Sequence, residues 1–469
     1  MVKKYVEELI LGEFGFEPTN DQAKAVDALA SLVADNCSFY ILKIHGYAGT
    51  GKTSLIAAFV RMLRKLDLKA ELLGPTGRAA KVLTSYSSEI AFTIHKKIYR
   101  QKTSDGFVAK FSLDRNLASD TFFIVDESSM ISDAGTDSSY FGSGNLLDDL
   151  ITYVKSGKNC HLILIGDSAQ LPPVGMENSP ALDKRSLQRY ADVEEVWLKE
   201  VVRQASESGI LENATYIRSL IDEEKIEVPQ LKLDGFTDIE RVAGNELIDV
   251  LGSAYDKQGI ENTIVVCRSN KLANRYNLGI RNRILYREEE LVRGDLLMVV
   301  KNSYFWTEGS KELEFIANGD IAEVVRIKKY YERYDFRFAE VTVRLVDYGD
   351  LEVDCYIMLE VLHSEAAALS YEQGKEFFHK VAEDYMHIPS KQKRYKEMRK
   401  DPFFNALQVK YANAITCHKA QGGQWNTVFI DQGYFTDDMV SKEYLRWLYT
   451  ALTRSTSKVY LVNFPDKFF

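Results

Sequence analysis

One stretch of the chain leaves few choices for the fold around it. Residues 46–54 read Gly-Tyr-Ala-Gly-Thr-Gly-Lys-Thr-Ser, which fits the phosphate-loop pattern G-x-x-x-x-G-K-[ST]. Glycines let successive backbone N–H groups turn toward an anion, and the helix that follows adds its positive N-terminal end. The apolar run before the loop has strand length, and residues 54–66 have helical spacing. The pattern predicts a nucleotide-phosphate site made by Gly46, Gly49, Gly51, Lys52, Thr53 and Ser54.

Two adjacent carboxylates end a second apolar strand. The run Thr121-Phe-Phe-Ile-Val leads into Asp126 and Glu127, and alternation along a strand points the two side chains in different directions. Asp126 is predicted to bind Mg²⁺ together with Thr53, while Lys52 reaches the β- and γ-phosphates. Glu127 is predicted to polarise the attacking water. Paired acids at a strand end are often only turn formers, but downstream of a phosphate loop the catalytic interpretation is favoured.

Two glutamines are candidates for contact with the nucleotide. Gln22 lies on the first turn of a helix predicted over residues 21–32. A glutamine at such a position is usually solvated surface, and a nucleotide contact is the alternative. Gln170 follows the strand predicted at residues 161–165, on a loop stiffened by two prolines. This loop places Gln170 to detect the γ-phosphate and to pass its presence to another site.

The composition limits where the chain works and what it binds. Its 469 residues suggest about three domains. The absence of a bilayer-length apolar run and of a signal-peptide core predicts a cytoplasmic protein with no membrane partner. Five scattered cysteines without a C-x-x-C pair favour neither a disulfide framework nor a zinc site. The net charge of −9 argues mildly against nucleic acid, so any such binding must come from a local groove.

Residues 74–83 are the first candidate for such a groove. They turn from a strand into a helix and offer Pro75, Thr76 and Arg78, and these hydroxyl, N–H and cationic groups suit a phosphate backbone. Many strand-to-helix connections share these features, so both interpretations stay open.

A basic stretch near residue 95 is the second candidate. His95 precedes several lysines and arginines interleaved with Tyr99, which fits either nucleic-acid contact or a solvated helix face. Residues 96–120 are predicted to contain a hairpin. This hairpin is the candidate for a pin that separates two strands.

The order of these motifs resembles the superfamily-one DNA helicases, specifically the RecD-like, Dda-like and Pif-like group that moves 5′ to 3′. Residues 198–204, 411–422 and 447–454 resemble the group's motifs IV, V and VI. The resemblance runs from about residue 16 to residue 463. One departure is Ser128-Ser129, where the group more often has Ala-Ser.

The resemblance implies ATP and Mg²⁺ as cofactors and further site residues. Arg203 and Arg454 are implied to reach across a cleft to the γ-phosphate, and Gly422 to lie at its nucleotide end. Nucleic-acid contacts are implied at Pro75, Thr76, Arg78, His95, Thr416, His418 and Lys419. The implied partners are single-stranded DNA and tailed duplex DNA, with other replication or repair proteins, and the implied state is a monomer.

A second α/β core follows independently from the sequence pattern. Residues 263–267, 427–430 and 459–462 are strand-like and alternate with helical stretches. If this core faces the first, arginines from its side can stabilise the transferring phosphoryl group. Without the other motifs, an arginine such as Arg454 would rather be a surface ion-pair residue.

Two insertions interrupt the second core. Strand runs between residues 294 and 359, with an Asn-Gly-Asp turn, predict a small all-β unit, which resembles the SH3-like domain of the same helicase group. It is expected to cover the DNA strand, although Tyr304, Phe305 and Trp306 fit its core equally well. Residues 364–405 are charged and helical in pattern, and a solvated helix is favoured over packing on the DNA cover.

The predicted fold class is α/β, with two RecA-like P-loop cores and an inserted SH3-like all-β domain. The predicted division is an N-terminal arm at 1–15, a first core at 16–200, a second core at 201–290 and 406–469, a β insertion at 291–362 and a helical insertion at 363–405.

The predicted function is an ATP-dependent DNA helicase. The main alternative is a strand-stimulated translocase that displaces bound proteins without opening duplex. A non-enzymatic switch would have no reason to keep Glu127 and both arginines, and a small-molecule P-loop kinase would not need a second core.

Overall fold

Two parallel β-sheets, buried on both faces, organise the chain. The computed structural model describes residues 2–34, 39–102, 110–133, 141–202, 207–307, 313, 315–349, 351–366 and 368–469. Runs such as Thr121–Val125 and His161–Gly166 are buried at every position, as parallel strands with helices on both faces require. The predicted α/β class is therefore confirmed. Among the described residues, no helix combines the length and the apolar character needed to cross a bilayer.

The first core is built around a parallel sheet. Its strands, with the hairpin β4–β5, are β1 Tyr40–Gly46, β2 Lys69–Gly74, β3 Ala91–Thr93, β4 Tyr99–Lys102, β5 Lys110–Leu113, β6 Thr121–Val125, β7 His161–Gly166 and β8 Asp192–Leu198. The six strands of the sheet have the order β3-β2-β6-β7-β1-β8. The helices in the described part of this core are α1 Val2–Phe14, α2 Asn20–Ala34, α3 Lys52–Lys65, α4 Gly77–Ser87, α5 Ile94–Ile98, α6 Leu146–Ser156 and α7 Lys184–Leu187.

The N-terminal segment is part of this core. Its helix α1 buries Val6, Ile10 and Phe14 in the same apolar cluster as α2 and α3. These residues recur at i, i+4 and i+8, which makes one apolar stripe on a helix. The predicted N-terminal arm is thus a helix that packs against α2 and α3.

The hairpin β4–β5 is anchored by aromatic side chains. Its strands pair antiparallel with Tyr99 opposite Leu113, and the connecting residues 103–109 lie outside the described part of the chain. Tyr99 and Phe111 are buried. Phe111 packs with ring centroids 4.9 Å from both Phe141 and Tyr304. Aromatic pairs in this distance range add to the apolar burial, so the base of the hairpin is held by residues far away in the sequence.

The second core begins after residue 207. Its first elements are α8 Gly209–Asp222, β9 Ile239–Val242, α9 Leu247–Gln258, β10 Thr263–Cys267 and α10 Asn270–Arg283. A closed barrel then interrupts it, with strands β11 Leu296–Val299, β12 Ile321–Arg333, β13 Phe336–Leu345, β14 Leu351–Met358 and β15 Leu407–Tyr411. Between β14 and β15 lie the helices α11 Glu360–His363, α12 Tyr371–Asp384 and α13 Lys391–Met398.

The barrel is closed by a strand from beyond the helical insertion. β15 pairs parallel with β14 and antiparallel with β11, so it lies in the barrel rather than in the second core, where the predicted division placed residues 406–411. The sequence gives no sign of this pairing because no local turn connects β15 to either neighbour. A small closed barrel is present where the all-β insertion was predicted, and its likeness to an SH3 domain stays a prediction.

The remaining elements complete the second core. They are β16 Ala414–Thr416, α14 Cys417–Ala420, β17 Trp425–Asp431, α15 Lys442–Leu452 and β18 Ser455–Val462. The sheet is parallel with strand order β16-β10-β17-β18-β9. The strands predicted at 263–267, 427–430 and 459–462 are therefore confirmed.

The aromatic run at residues 304–306 serves two neighbours. Tyr304 packs against the apolar cluster of the first core, and Trp306 packs against the barrel core. Trp306 also donates its indole N–H to the carbonyl of Asn405 at 2.7 Å. The run joins the hairpin, the barrel and the helical insertion.

The barrel rests on the start of α4. A Cβ atom on Gly77 would lie 2.5 Å from the Tyr348 hydroxyl, so this close approach requires glycine. Tyr348 donates that hydroxyl to Oδ1 of Asp320 at 3.0 Å, and the Ala317 N–H donates to Oδ2 at 2.7 Å. Burial is the main cause that raises the pKa of Asp320 to about 7.

Asp320→Asn tests the cost of this buried carboxylate. Because the folded-state pKa lies above the ordinary aspartate value of 3.8, the folded protein binds the proton more tightly, and its stability falls as pH rises from about 4 to about 7. The wild-type free energy of unfolding should lose about 1.4 kcal/mol per pH unit relative to the variant over that interval. Urea unfolding of both proteins at several pH values measures the difference. A parallel pH dependence of the two proteins would contradict the burial argument, and the exposed Asp438→Asn is the matched control.

Candidate active site

The phosphate loop lies between β1 and α3. Gly51 precedes α3 in a left-handed conformation with φ 78°, and Gly49 has φ 73°, a region that glycine adopts without strain. The ammonium of Lys52 donates to the carbonyl oxygens of Gly46 and Tyr47, the latter at 2.9 Å. The loop therefore curls around the lysine that is predicted to meet the phosphates.

Gln22 supports the phosphate loop through a side-chain hydrogen bond. Its side-chain amide donates to the carbonyl of Thr50 at 2.9 Å and accepts from the Thr19 N–H at 2.9 Å. The side chain is buried, so it is not the solvated residue that its sequence position favours. Its direct contact with a nucleotide stays a prediction.

The two carboxylates follow directly on β6. The Glu127 N–H donates to Oδ1 of Asp126 at 2.8 Å, and Glu127 has a φ of 51°. Burial, reinforced by the charge of Glu127, raises the pKa of Asp126 to about 6, and the ammonium of Lys52 opposes this shift. The left-handed turn at Glu127 separates the directions of the two side chains.

Asp126 and Thr53 suit a magnesium ion by their chemistry. Both line the same cleft, and carboxylate and hydroxyl oxygens are ligands that Mg²⁺ prefers alongside water and phosphate oxygens. The described residues contain no group of three His, Cys, Asp or Glu side chains that could hold a metal ion by themselves. Binding of Mg²⁺ by Asp126 and Thr53 stays a prediction.

Arg454 faces Glu127 from the second core. One guanidinium nitrogen lies 3.8 Å from Oε1 of Glu127, although the side chain is only 3% exposed. The guanidinium also donates to the carbonyls of Thr450 and Gly423 at 3.1 and 3.4 Å. These bonds aim its charge at the cleft, so it is not a surface ion-pair residue. The other predicted arginine, Arg203, lies outside the described residues.

The cleft between the cores has a volume of about 580 Å³. Most of the predicted nucleotide-site residues line it: Gly49, Gly51, Lys52, Thr53, Ser54, Asp126, Glu127, Gln170, Gly422 and Arg454. Aromatic residues of its wall that the sequence did not indicate include Phe14, Phe16 and Tyr86. Phe16 is 63% exposed, a large apolar side chain at the protein surface, and this pattern is invisible in the sequence alone.

Four hydrogen bonds join the two cores around the loop of Gln170. The Tyr449 hydroxyl accepts from the Ala48 N–H at 2.9 Å and donates to Oδ2 of Asp167 at 2.6 Å. The Leu171 N–H donates to the Thr450 hydroxyl at 2.9 Å, and the Gln421 amide donates to the Leu171 carbonyl at 2.6 Å. Gln170 itself is buried, and its Oε1 has no hydrogen-bond partner among the described atoms. The sequence did not indicate a role for Tyr449, Asp167 or Gln421. Tyr449 and Gln421 nevertheless lie inside segments 447–454 and 411–422, which resemble helicase motifs.

The predicted nucleic-acid residues fall into two groups. Thr76 caps α4 by accepting from the Ala79 N–H at 3.2 Å, and a Cβ on Gly422 would lie 3.4 Å from its hydroxyl oxygen. Lys419 donates to Asn318 of the barrel. The start of α4, the 416–422 segment and the barrel thus meet at one place. Pro75, Thr416 and His418 lie half-buried in these same segments.

Arg78 and His95 have other surroundings. The guanidinium carbon of Arg78 lies 3.8 Å from the ring centre of Trp425, an attractive cation–π contact across the two cores. His95 packs 5.0 Å from the ring of Phe141, and burial lowers its pKa to about 4. It is neutral near pH 7 and offers no charge to a phosphate. Contacts of both residues with nucleic acid stay predictions.

The fold and the cleft define a P-loop nucleotide-binding protein with two parallel-sheet cores. Residues 18–228 match a family model described as an AAA domain, and residues 411–462 match a UvrD-like helicase C-terminal domain. An uncharacterized protein of Methanocaldococcus jannaschii is 23% identical over 94% of this chain and 38% of its own length. The ATP-dependent RecD2 DNA helicase of Deinococcus radiodurans is 28% identical over 42% of this chain and 23% of its own length.

A solved structure gives a further likeness. The Pif1 helicase from Bacteroides in complex with ADP-AlF3 and ssDNA is 15% identical, with 96% of this chain and 93% of that chain covered and a TM-score of 0.47. The two family models and the RecD2 relative are each similar to part of this chain, and both the C-terminal model and the relative are described as helicases. The chain spans well under half the length of each of these two curated relatives.

Gly51→Ala tests the loop geometry. An added Cβ would lie 2.6 Å from the Gln22 amide nitrogen in a left-handed conformation, which costs a non-glycine residue about 1–2 kcal/mol. We expect ATP affinity to fall by about tenfold or more, measured with a fluorescent nucleotide analogue. Gly279→Ala in α10, where a Cβ meets open space, should leave the affinity unchanged. Equal affinity of both variants would contradict the role of the loop.

Proposed function

We propose that the protein is an ATP-dependent DNA helicase that moves 5′ to 3′ on single-stranded DNA and opens duplex. The observation that carries this proposal is the approach of Arg454 to Glu127, at 3.8 Å, across a cleft with one core on each side. A P-loop protein that only bound nucleotide would not need a buried arginine from a second core. Such an arginine stabilises the charge of the transferring phosphoryl group.

Each cleft residue has a defined task in this proposal. Lys52 and the loop amides bind the phosphates, and Glu127 orients and polarises the attacking water. Arg454, with Arg203 as the second arginine, stabilises the transition state. Thr53 and Asp126 would hold Mg²⁺, which neutralises phosphate charge when bound.

The cross-core hydrogen bonds supply the coupling. Gln170 lies between Asp167 and Leu171 on one loop. Asp167 and Leu171 each form hydrogen bonds with residues of the second core. A γ-phosphate that engages Gln170 would therefore favour the closed arrangement, and its loss would release it. The nucleic-acid contacts at Thr76 and Lys419 lie on opposite cores, so closure and opening change their separation. Repeated cycles then move the enzyme along one strand.

The anchored hairpin favours duplex opening over mere translocation. A strand-separating element must resist force, and Phe111 fixes the hairpin base by packing on Phe141 and Tyr304. Single-stranded DNA, tailed duplex DNA and a monomeric state are part of the proposal. The direction of movement rests on the family resemblance.

Two tailed duplexes test the proposed activity. They are identical except that one carries a 5′ single-stranded tail and the other a 3′ tail, and strand separation with ATP is followed by fluorescence. We expect opening of the 5′-tailed duplex only. Opening of the 3′-tailed duplex alone would overturn the direction, and strand-stimulated ATP turnover without any opening would favour the translocase.

Glu127→Gln tests the catalytic assignment. The amide keeps the shape of the side chain but loses the carboxylate that polarises water, and removal of such a base typically costs 10²–10⁴ in rate. We expect ATP turnover to fall by about 10²-fold or more, with ATP and single-strand binding retained. The exposed Glu288→Gln is the control and should turn over normally. Normal turnover by the Glu127 variant would remove Glu127 from the role of base.

A further inference from the structure

Helix α13 and the turn after it carry a concentration of positive charge that the proposed cleft and groove do not use. Residues 391–400 contain six cations and the single carboxylate Glu397, in a chain whose net charge is −9. Lys393, Lys396 and Lys400 are exposed, whereas Met398 on the other side of the helix is buried. The charge is therefore concentrated on the outward side of the helix.

The three lysines form a row. At 1.5 Å rise per residue, Lys393 and Lys400 are separated by about 10 Å along the helix direction, a length that covers about three phosphates of one strand of B-DNA. Among the described residues, no carboxylate forms an ion pair with Lys393 or Lys396. Lys400 pairs with Glu397 at 2.9 Å at the helix end. The first two ammonium groups are free to meet an anion.

Two neighbouring arginines have structural tasks instead. Arg394 donates to the carbonyl of Ile388 at 3.3 and 3.1 Å. The Arg399 guanidinium lies 5.1 Å from the ring centre of Tyr395. These contacts of Arg394 and Arg399 stabilise the helix that carries the lysine row.

The helix packs against the barrel. Met398 and Phe403 belong to one buried cluster with Phe336 and Phe338 of β13. Phe403 also stacks on Tyr356 of β14, with ring centroids 4.9 Å apart. The predicted solvated helix therefore buries one face against the barrel and presents the other to solvent.

A series of side-chain contacts connects this cluster with the hairpin. Tyr356 lies 5.6 Å from the ring of Trp306, and Trp306 bonds to Asn405 just after the cluster. Two residues earlier, Tyr304 packs 4.9 Å from Phe111 at the hairpin base. The helix that carries the lysine row and the base of the hairpin are thus connected through the loop at residues 304–306.

We propose that Lys393, Lys396 and Lys400 bind the phosphate backbone of double-stranded DNA that approaches the hairpin. This inference rests on the proposed function, since it assigns the row to the duplex still to be opened. Lysines that contact phosphates add affinity without reading sequence, and their contribution falls as salt rises.

The triple variant Lys393→Gln, Lys396→Gln, Lys400→Gln tests the row. Binding of a blunt DNA duplex and of a single strand of equal length is measured by fluorescence anisotropy without ATP over a salt series. We expect duplex affinity to fall by about tenfold or more, and the slope of log affinity against log salt to shrink by about 2 to 3. Single-strand affinity and strand-stimulated ATP turnover should remain those of the wild type.

A variant with the same charge change elsewhere is the control. Lys4→Gln, Lys69→Gln, Lys257→Gln replaces three exposed lysines outside the insertion and should keep the wild-type duplex affinity. Unchanged duplex binding by the test variant would overturn the proposal. This is also the outcome expected if the row binds an acidic protein segment instead of DNA. A wild type that binds duplex through the row but opens neither tailed substrate would refute the proposed function and leave this inference standing.

Discussion

The buried hydroxyl group of Tyr449 holds the two cores in their relative arrangement. The Tyr449 hydroxyl comes from the second core, yet both of its hydrogen-bond partners, the Ala48 N–H and the Asp167 carboxylate, belong to the first. Burial raises the pKa of Asp167, so this carboxylate depends on the donated O–H. Leaving either partner unpaired in the interior would cost about 1–3 kcal/mol. The nucleotide cleft has its shape because the two sheets are held in this arrangement, with Arg454 just beyond the end of the helix that carries Tyr449.

The same interface connects chemistry with the groove. Helix α4 begins at the predicted nucleic-acid residues, stacks Arg78 on Trp425 of the second core and carries the barrel on Gly77. Gln421 reaches from the 416–422 segment to the carbonyl of Leu171 beside Gln170. A change at the phosphates therefore has short, packed routes to the place where a strand would lie. Packed interiors transmit such shifts because they tolerate little free volume.

Local patterns predicted the parts of the site that local sequence determines. The phosphate loop with its strand and helix and the carboxylates after β6 lie where the local pattern predicted them. The position of Arg454 in the cleft was implied by the family resemblance, because the local pattern alone favoured a surface ion pair. Features that depend on distant partners were not predictable: the burial of Gln22 under Thr50, the bridging role of Tyr449, and the pairing of β15. The helical insertion illustrates the limit well, since its charge suggested a solvated helix while Met398 and Phe403 are buried against β13. Hydrophobic spacing indicates that a helix has an apolar face, but not what covers it.

The closing strand of the barrel has a consequence for biosynthesis. A chain that leaves the ribosome from its N-terminus can pair β11 to β14 early, but their sheet keeps open edges until residues 407–411 emerge. Unpaired edges of this kind are templates for aggregation, and α11–α13 are synthesised before the closing strand. Only two residues separate β15 from β16, so the barrel closes at nearly the same moment as the second sheet gains its edge strand. Both units then mature together, late in translation, whereas the first core is free to fold beforehand.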